Sequence, residues 1–151
     1  MIGHIAQCTA ALFACVGFSL IFQLRGKDVL IAALCGVFSW AVYLVTGNVL
    51  DSAVLPYFFA GAAAAFYAET AAIMFSSPVT VYLIPGIIPT VPGLAVYRAM
   101  EDGLKGNIEG FLEKGLETFK IGGAITMGLI LFSACFRLCR IAVSARRKRD
   151  N

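Results

Sequence analysis

The residues whose types could do chemistry in this sequence fall in two neighbouring places. Glu69 stands alone inside the apolar run GAAAAFYAETAA, Gly61 to Ala72. An ionisable group at the centre of a bilayer costs at least about 2.5 kcal/mol on insertion scales. A carboxylate kept there either couples to a proton or a substrate, or sits close enough to the helix end to reach headgroup water or a base. Both readings stay open, because Glu69 lies only about two helical turns from Ser76. The second place is PVTVYLIPGIIPTVPGLAVYRAM, Pro78 to Met100, where Pro85, Pro89 and Pro92 crowd together beside Gly86 and Gly93. Each proline inside a helix removes a backbone donor and clashes with the preceding turn, at roughly 3 kcal/mol. Backbone groups freed in lipid must find partners, so such a break survives only under cover of protein or in a wet cavity. A Pro/Gly-interrupted apolar segment is the best pointer in a sequence to a transport site.

The chemistry of that break can be read residue by residue. Val79 to Ile84 forms a first half-helix and about Gly93 to Met100 a second, with Pro85 to Pro92 as a non-helical bridge. Thr90 is a candidate N-cap, with Pro92 in the first turn, where a missing donor does no harm. The open N-terminus of the second half-helix carries partial positive charge into the membrane, which suits the carboxylate of a small substrate. The candidate substrate-binding residues are therefore Pro85, Gly86, Pro89, Thr90, Pro92, Gly93, Tyr97 and Arg98, with Glu69 as the ion-coupling group. Tyr82, Tyr97 and Thr90 offer hydroxyls; Arg98 either binds a carboxylate or snorkels to the interface. The bland alternative is a proline-kinked helix without a site.

The elements that position these residues follow from composition. The chain has 151 residues, 60% of them hydrophobic and only 14% charged. A soluble domain carries about a quarter charged residues, so this chain cannot cover itself with polar side chains. It reads as an all-α integral membrane protein, a single membrane domain over 1–151 with about five transmembrane helices. The expected spans are about 2–24, 29–46, 53–75, the broken 79–100, and 121–136. The first lacks a basic leader region and is too long for the apolar core of a signal peptide, so it is expected to be retained. The third is crowded with Ala and Gly, which let helix backbones approach closely in lipid. Trp40 and Tyr43 stand where interfacial aromatics often do. Between the broken segment and the last span, Leu104, Ile108, Phe111, Leu112, Leu116 and Phe119 recur at helical spacing among charges, so 101–120 reads as an amphipathic segment.

Net charge is +3, and the basic residues crowd into the tail from Arg137 onward, with Arg140, Arg146, Arg147, Lys148 and Arg149. With five crossings, the Arg25/Lys27 turn and this tail share one side, while the Asp51 turn and the Glu101–Lys120 segment share the other. The positive-inside rule then puts the C-terminus in the cytoplasm and the N-terminus outside. A re-entrant proline segment would break that agreement. The basic tail speaks for orientation and not for nucleic acid. Cys8, Cys15, Cys35, Cys135 and Cys139 all lie in apolar runs, form no CxxC pair and read as packing residues; the lone histidine, His4, sits near an interface. No metal, cofactor or catalytic residue is expected. There is no Ser/His/Asp set, no HExxH, no paired aspartates and no phosphate loop, so an enzyme is not expected.

From Pro78 to Met100, with its PGIIP-x-VPG core and Glu69 upstream, the sequence resembles the threonine/serine exporter family. The likeness is to its short, small-subunit type, which corresponds to the C-terminal membrane half of the fused exporters. Size, number of apolar spans and motif position agree over nearly the whole chain. The resemblance implies an inner-membrane, multi-pass exporter of small polar metabolites driven by an ion gradient, with threonine and serine, or succinate for related two-gene pairs, as cargo. It also implies a partner, a larger membrane subunit with a cytoplasmic N-terminal region, in a hetero-oligomer that leaves room for further copies of this chain. Relatives often carry basic residues between the Glu and the motif proline; Ala71 to Ser77, AAIMFSS, has none. Any contact those bases make in relatives has no counterpart here. The alternative expectation is a non-transporting scaffold that assembles a larger membrane partner.

Overall fold

The computed structural model describes the backbone of residues 2–149 and the side chains of 3–142; the side chains of Arg146, Arg147, Lys148 and Arg149 lie outside the described residues. Six α-helices follow one another: α1 Ile2–Ile21, α2 Lys27–Val49, α3 Leu55–Phe75, α4 Val79–Ile87, α5 Gly93–Leu104 and α6 Ile108–Arg149. A short 3-10 turn, Ile88–Thr90, extends α4. Four helices are long and apolar enough to cross a membrane, and the bent pair α4 and α5 makes a fifth span if counted as one. The surface of the bundle is greasy: Phe13, Ile21 and Val49 are among many large apolar side chains that face outward. In water such a surface would aggregate; against acyl chains it is matched. The chain is an all-α multi-pass membrane protein, with lipid as its solvent.

The bundle is organised around α3. Its Ala60, Gly61, Ala64, Ala65, Ala68, Ala71 and Ala72 are all buried, so both neighbours come in close. On one side the antiparallel α2 donates from small polar side chains into α3 carbonyls: Ser39 Oγ to Ala60 O at 3.0 Å, and Cys35 Sγ to Ala64 O at 3.7 Å. On the other side lies α6. A Cβ added to Gly61 would come within 2.6 Å of the Ile125 carbonyl, and one added to Gly128 would strike the Phe58 carbonyl. Interhelical packing of this kind replaces the hydrophobic effect inside a bilayer. Higher up, Phe66 meets Phe132 edge-on at 5.6 Å, and Glu69 faces Arg137.

From Gly61–Ile125 through Phe66–Phe132 to Glu69–Arg137 the contacts ascend together in both helices, so α3 and α6 run parallel. The chain between them must return to the end where α3 began. It does so through the proline segment. α4 starts beside the N-terminus of α2, where Tyr82 Oη donates to Asp28 Oδ1 at 2.8 Å. It then passes Cys35 at Gly86 and Gly36 at Pro89, travelling in the same direction as α2. The segment therefore runs back along the bundle, from the α3 C-terminal end toward the α3 N-terminal end.

The break is shorter than expected from the prolines. The non-helical bridge does not begin at Pro85: α4 runs through Pro85 to Ile87 and the 3-10 turn carries on to Thr90. Only Val91 and Pro92 leave helical structure before α5, which departs at 54°. Pro85 strands one carbonyl, while Pro89 cannot donate to the carbonyl of Pro85. That carbonyl accepts instead from the Ile88 amide and from the Cys15 thiol at 3.2 Å. Thr90 is not the N-cap of α5; that position is Pro92, and the Thr90 hydroxyl donates to Ile87 O at 2.7 Å.

The segment 101–120 is also divided differently. Its first residues finish α5, Gly106 makes the turn at φ 74°, and Ile108 onward joins the last span in one 42-residue helix. α5 and the start of α6 form an antiparallel hairpin, with Phe111 against Gly103 and Asn107 Oδ1 accepting from the Gly110 amide at 3.2 Å. This packing supports a helix start that Gly110 and Gly115 would weaken in isolation. A helix this long measures about 63 Å, twice the hydrocarbon thickness. The hairpin thus projects past the α3 end that holds Tyr57, and carries most of the charge between the spans.

Candidate functional site

Where the broken segment bends, a cleft of about 340 Å³ opens at the Tyr57 end of the bundle. Its floor is the break itself, Pro89 to Ala95. Arg98 of α5, Lys114 and Glu117 of α6, and Trp40 and Tyr57 of α2 and α3 complete the wall. Trp40 stacks on Tyr43 at 4.9 Å, and Tyr43 meets Tyr57 at 4.6 Å, with their hydroxyls 3.3 Å apart. Clusters of Trp and Tyr of this kind are enriched at membrane–water interfaces. Glu117 and Arg137 are 20 residues apart on α6, or about 30 Å of helix, the thickness of a hydrocarbon core.

Electrostatically the cleft favours an anion. Pro92 caps α5 without a donor of its own, and the Gly93 amide is taken by Val91 O at 2.8 Å. The amides of Leu94 and Ala95 belong to the first turn, where a helix supplies no acceptor, and both residues line the cleft. They bring the positive end of the helix dipole with them. One turn on, Arg98 adds a full charge; among the described residues it takes part in no ion pair, whereas Lys114 Nζ is held by Glu117 Oε2 at 3.3 Å. The indole Nε1 of Trp40 is buried and has no hydrogen-bond partner among the described residues. The arrangement can hold a carboxylate at the α5 terminus and present hydrogen-bonding groups beside it.

Of the residues singled out from sequence, Pro89, Thr90, Pro92, Gly93 and Arg98 meet at this cleft. Pro85 and Gly86 are buried inside the bundle, Pro85 against Cys15 and Gly86 against Cys35 of α2, where a Cβ on Gly86 would strike the Cys35 side chain. Tyr97 is exposed and is not part of the cleft wall. Glu69 is brought to none of these: it lies at the opposite end of the bundle, level with the start of α4. There it is 4% exposed, its Oε1 lies 3.5 Å from Arg137 Nε, and both line a separate cleft of about 440 Å³ with Val79, Arg140 and Ile141. Sequence reading missed Tyr57, Lys114 and Glu117 as cleft residues and Arg137 as the partner of Glu69. Each comes from a helix distant in the chain, and no local spacing announces it. Trp40 did carry a signal, but only as an interfacial aromatic.

No curated protein and no solved structure matches the chain. A family model does: that of the threonine/serine exporter, ThrE, matches residues 7–135, from α1 through Glu69 and the break into α6. The chain thus belongs to the threonine/serine exporter family.

Proposed function

We propose that the chain is one subunit of a two-component secondary transporter in the cell membrane that exports a small polar metabolite, threonine or serine or a dicarboxylate such as succinate. The carrying observation is the cleft at the break, which Leu94 and Ala95 of the first turn of α5 line together with Arg98. In this reading the substrate carboxylate binds at Pro89–Gly93 and Arg98, and Thr90 and the break prolines shape the floor. Tyr97 serves on the outer approach; Pro85 and Gly86 hold the break in place from behind. Glu69, at the other end, takes up and releases the coupling ion. Basic residues at the Glu69 end, and the acidic character of the hairpin, support a cytoplasmic C-terminus and an outer N-terminus.

The partner is a larger membrane subunit with a cytoplasmic N-terminal region. Support comes from the hairpin, where Leu104, Ile108 and Phe119 are 89%, 70% and 83% exposed beyond the interfacial aromatics. The same exposure favours the second reading, a scaffold that assembles the partner without transporting. Vesicles containing both subunits and loaded with labelled threonine, serine or succinate decide between them. Gradient-driven efflux of one of the three that requires this chain is the expected result. Undiminished efflux after Glu69→Gln would remove Glu69 from coupling, and efflux by the partner alone would leave only the scaffold.

A further inference from the structure

The end of the bundle away from the break has unfinished chemistry. Glu69 is 4% exposed and its Oε1 has no hydrogen-bond partner among the described residues. A buried carboxylate without a donor is costly. Arg137 Nε lies 3.5 Å from it, and the arginine side chain is 70% exposed. A guanidinium has five N–H donors in a planar fork suited to a carboxylate, so most of that capacity is open. Arg140, three residues on, shares the same helix face and the same cleft of about 440 Å³. Val79, the first residue of the broken segment, forms part of the wall.

We propose that Glu69, Arg137 and Arg140 form a second substrate site that takes an α-amino acid as its zwitterion, the ammonium on Glu69 and the carboxylate on the two arginines. This rests on the transporter reading above and adds to it a binding place at the opposite end of the pathway. The three side chains sum to one positive charge, and the ligand that satisfies all of them must carry both signs. A dicarboxylate would suit the arginines but set a like charge against Glu69. A phosphate would likewise set negative charge against Glu69. An ammonium supplies three N–H donors to it. A phospholipid headgroup with a free amine carries the same pair of charges. The cleft is closed on one side by Val79 and roomy enough for a free amino acid, and membrane composition separates the two sources.

The test uses the full chain in phosphatidylcholine nanodiscs, titrated calorimetrically with L-threonine and with N-acetyl-L-threonine, which keeps the carboxylate and loses the ammonium. Wild type is expected to prefer threonine by at least tenfold. Glu69→Gln is expected to abolish that preference, and Arg140→Gln to weaken both ligands at least tenfold. Arg137→Gln strips the buried Glu69 of its neighbour and risks misfolding, so Arg140→Gln carries the arginine arm. No saturable binding by the wild-type chain, or binding unchanged by Glu69→Gln and Arg140→Gln, overturns the second site. Loss of threonine binding when phosphatidylethanolamine replaces phosphatidylcholine assigns the site to lipid and also overturns it. Export from vesicles holding both subunits, measured in parallel, reports on the transporter reading separately: efflux that persists with a failed titration leaves the cleft at the break standing.

Discussion

Glu69 of α3 and Arg137 of α6 face each other across 3.5 Å, at the same height in two helices that run in the same direction. Parallel neighbours require the chain between them to run back along the bundle. The apolar segment that makes this return is the one with three prolines, bent by 54° between α4 and α5.

Single cysteines placed at the turns read this topology. Asn48 and Lys105 are expected to react with a membrane-impermeant thiol reagent from one side, and Gln23 and Ser77 from the other, in a chain whose native cysteines are replaced by serine or alanine. Labelling of Lys105 and Ser77 from the same side would mean that α4 and α5 only dip into the bilayer.

The α3–α6 contact depends on the absence of two side chains. At Gly128 a Cβ would meet the Phe58 backbone, which cannot yield, whereas at Gly123 nothing lies within 4 Å. Overpacking a tight interface costs about 1–3 kcal/mol, and an unconstrained surface change usually stays within about 0.5 kcal/mol. Thermal unfolding in detergent is expected to show Gly128→Ala less stable by the first amount and Gly123→Ala nearly unchanged. Equal melting of both variants would contradict the close approach of these helices.

Tyr82 pins the first half of the broken segment to the start of α2 through Asp28, at 2.8 Å. Hydrogen bonds to charged groups contribute about 1.5–3 kcal/mol. Tyr82→Phe keeps the ring, which packs on Phe75 at 6.4 Å, and removes only the hydroxyl. A stability loss of about that size is expected from equilibrium unfolding, while Tyr97→Phe, exposed on α5, should change nothing. A Tyr82→Phe variant as stable as wild type would show that Asp28 is satisfied by water.

Much of this architecture was legible in the residues. Hydropathy alone outlines α1, α2 and α3, because a bilayer demands about 20 apolar residues per span. The Ala-rich run of α3 foretells its central position, since only small residues allow two neighbours so near. The prolines locate the break. Its true extent was hidden, because a helix tolerates Pro85 once tertiary partners such as Cys15 serve the affected carbonyls. Likewise the glycines of 101–120 argued for a separate weak helix, and it is the packing of Phe111 on Gly103 that continues it into α6. The separation of Glu69 from the cleft was not legible at all. The two are close in sequence, but α4 carries the chain away from Glu69 before the break occurs.

Arg98 offers a local check on the cleft. Arg98→Gln removes the charge but keeps a donor, and Arg98→Lys keeps the charge but loses the planar fork. With a charged hydrogen bond of about 1.5–3 kcal/mol at stake, Arg98→Gln is expected to raise the half-saturating substrate concentration for transport by roughly 10- to 100-fold, with Arg98→Lys intermediate. Kinetics of labelled efflux that are identical in all three proteins would assign Arg98 to snorkelling at the interface.

The break itself is best examined by removing it. Pro89→Ala with Pro92→Ala restores backbone donors at two positions of the crossing and lets α4 run on toward α5. Export of labelled threonine, serine or succinate from two-subunit vesicles, with co-purification of the subunits as the control for assembly, is the measurement. Efflux is expected to fall to the level of vesicles lacking this chain while the complex still forms. Full efflux from the double variant would mean that the break holds no substrate, and that this subunit serves its partner as a scaffold.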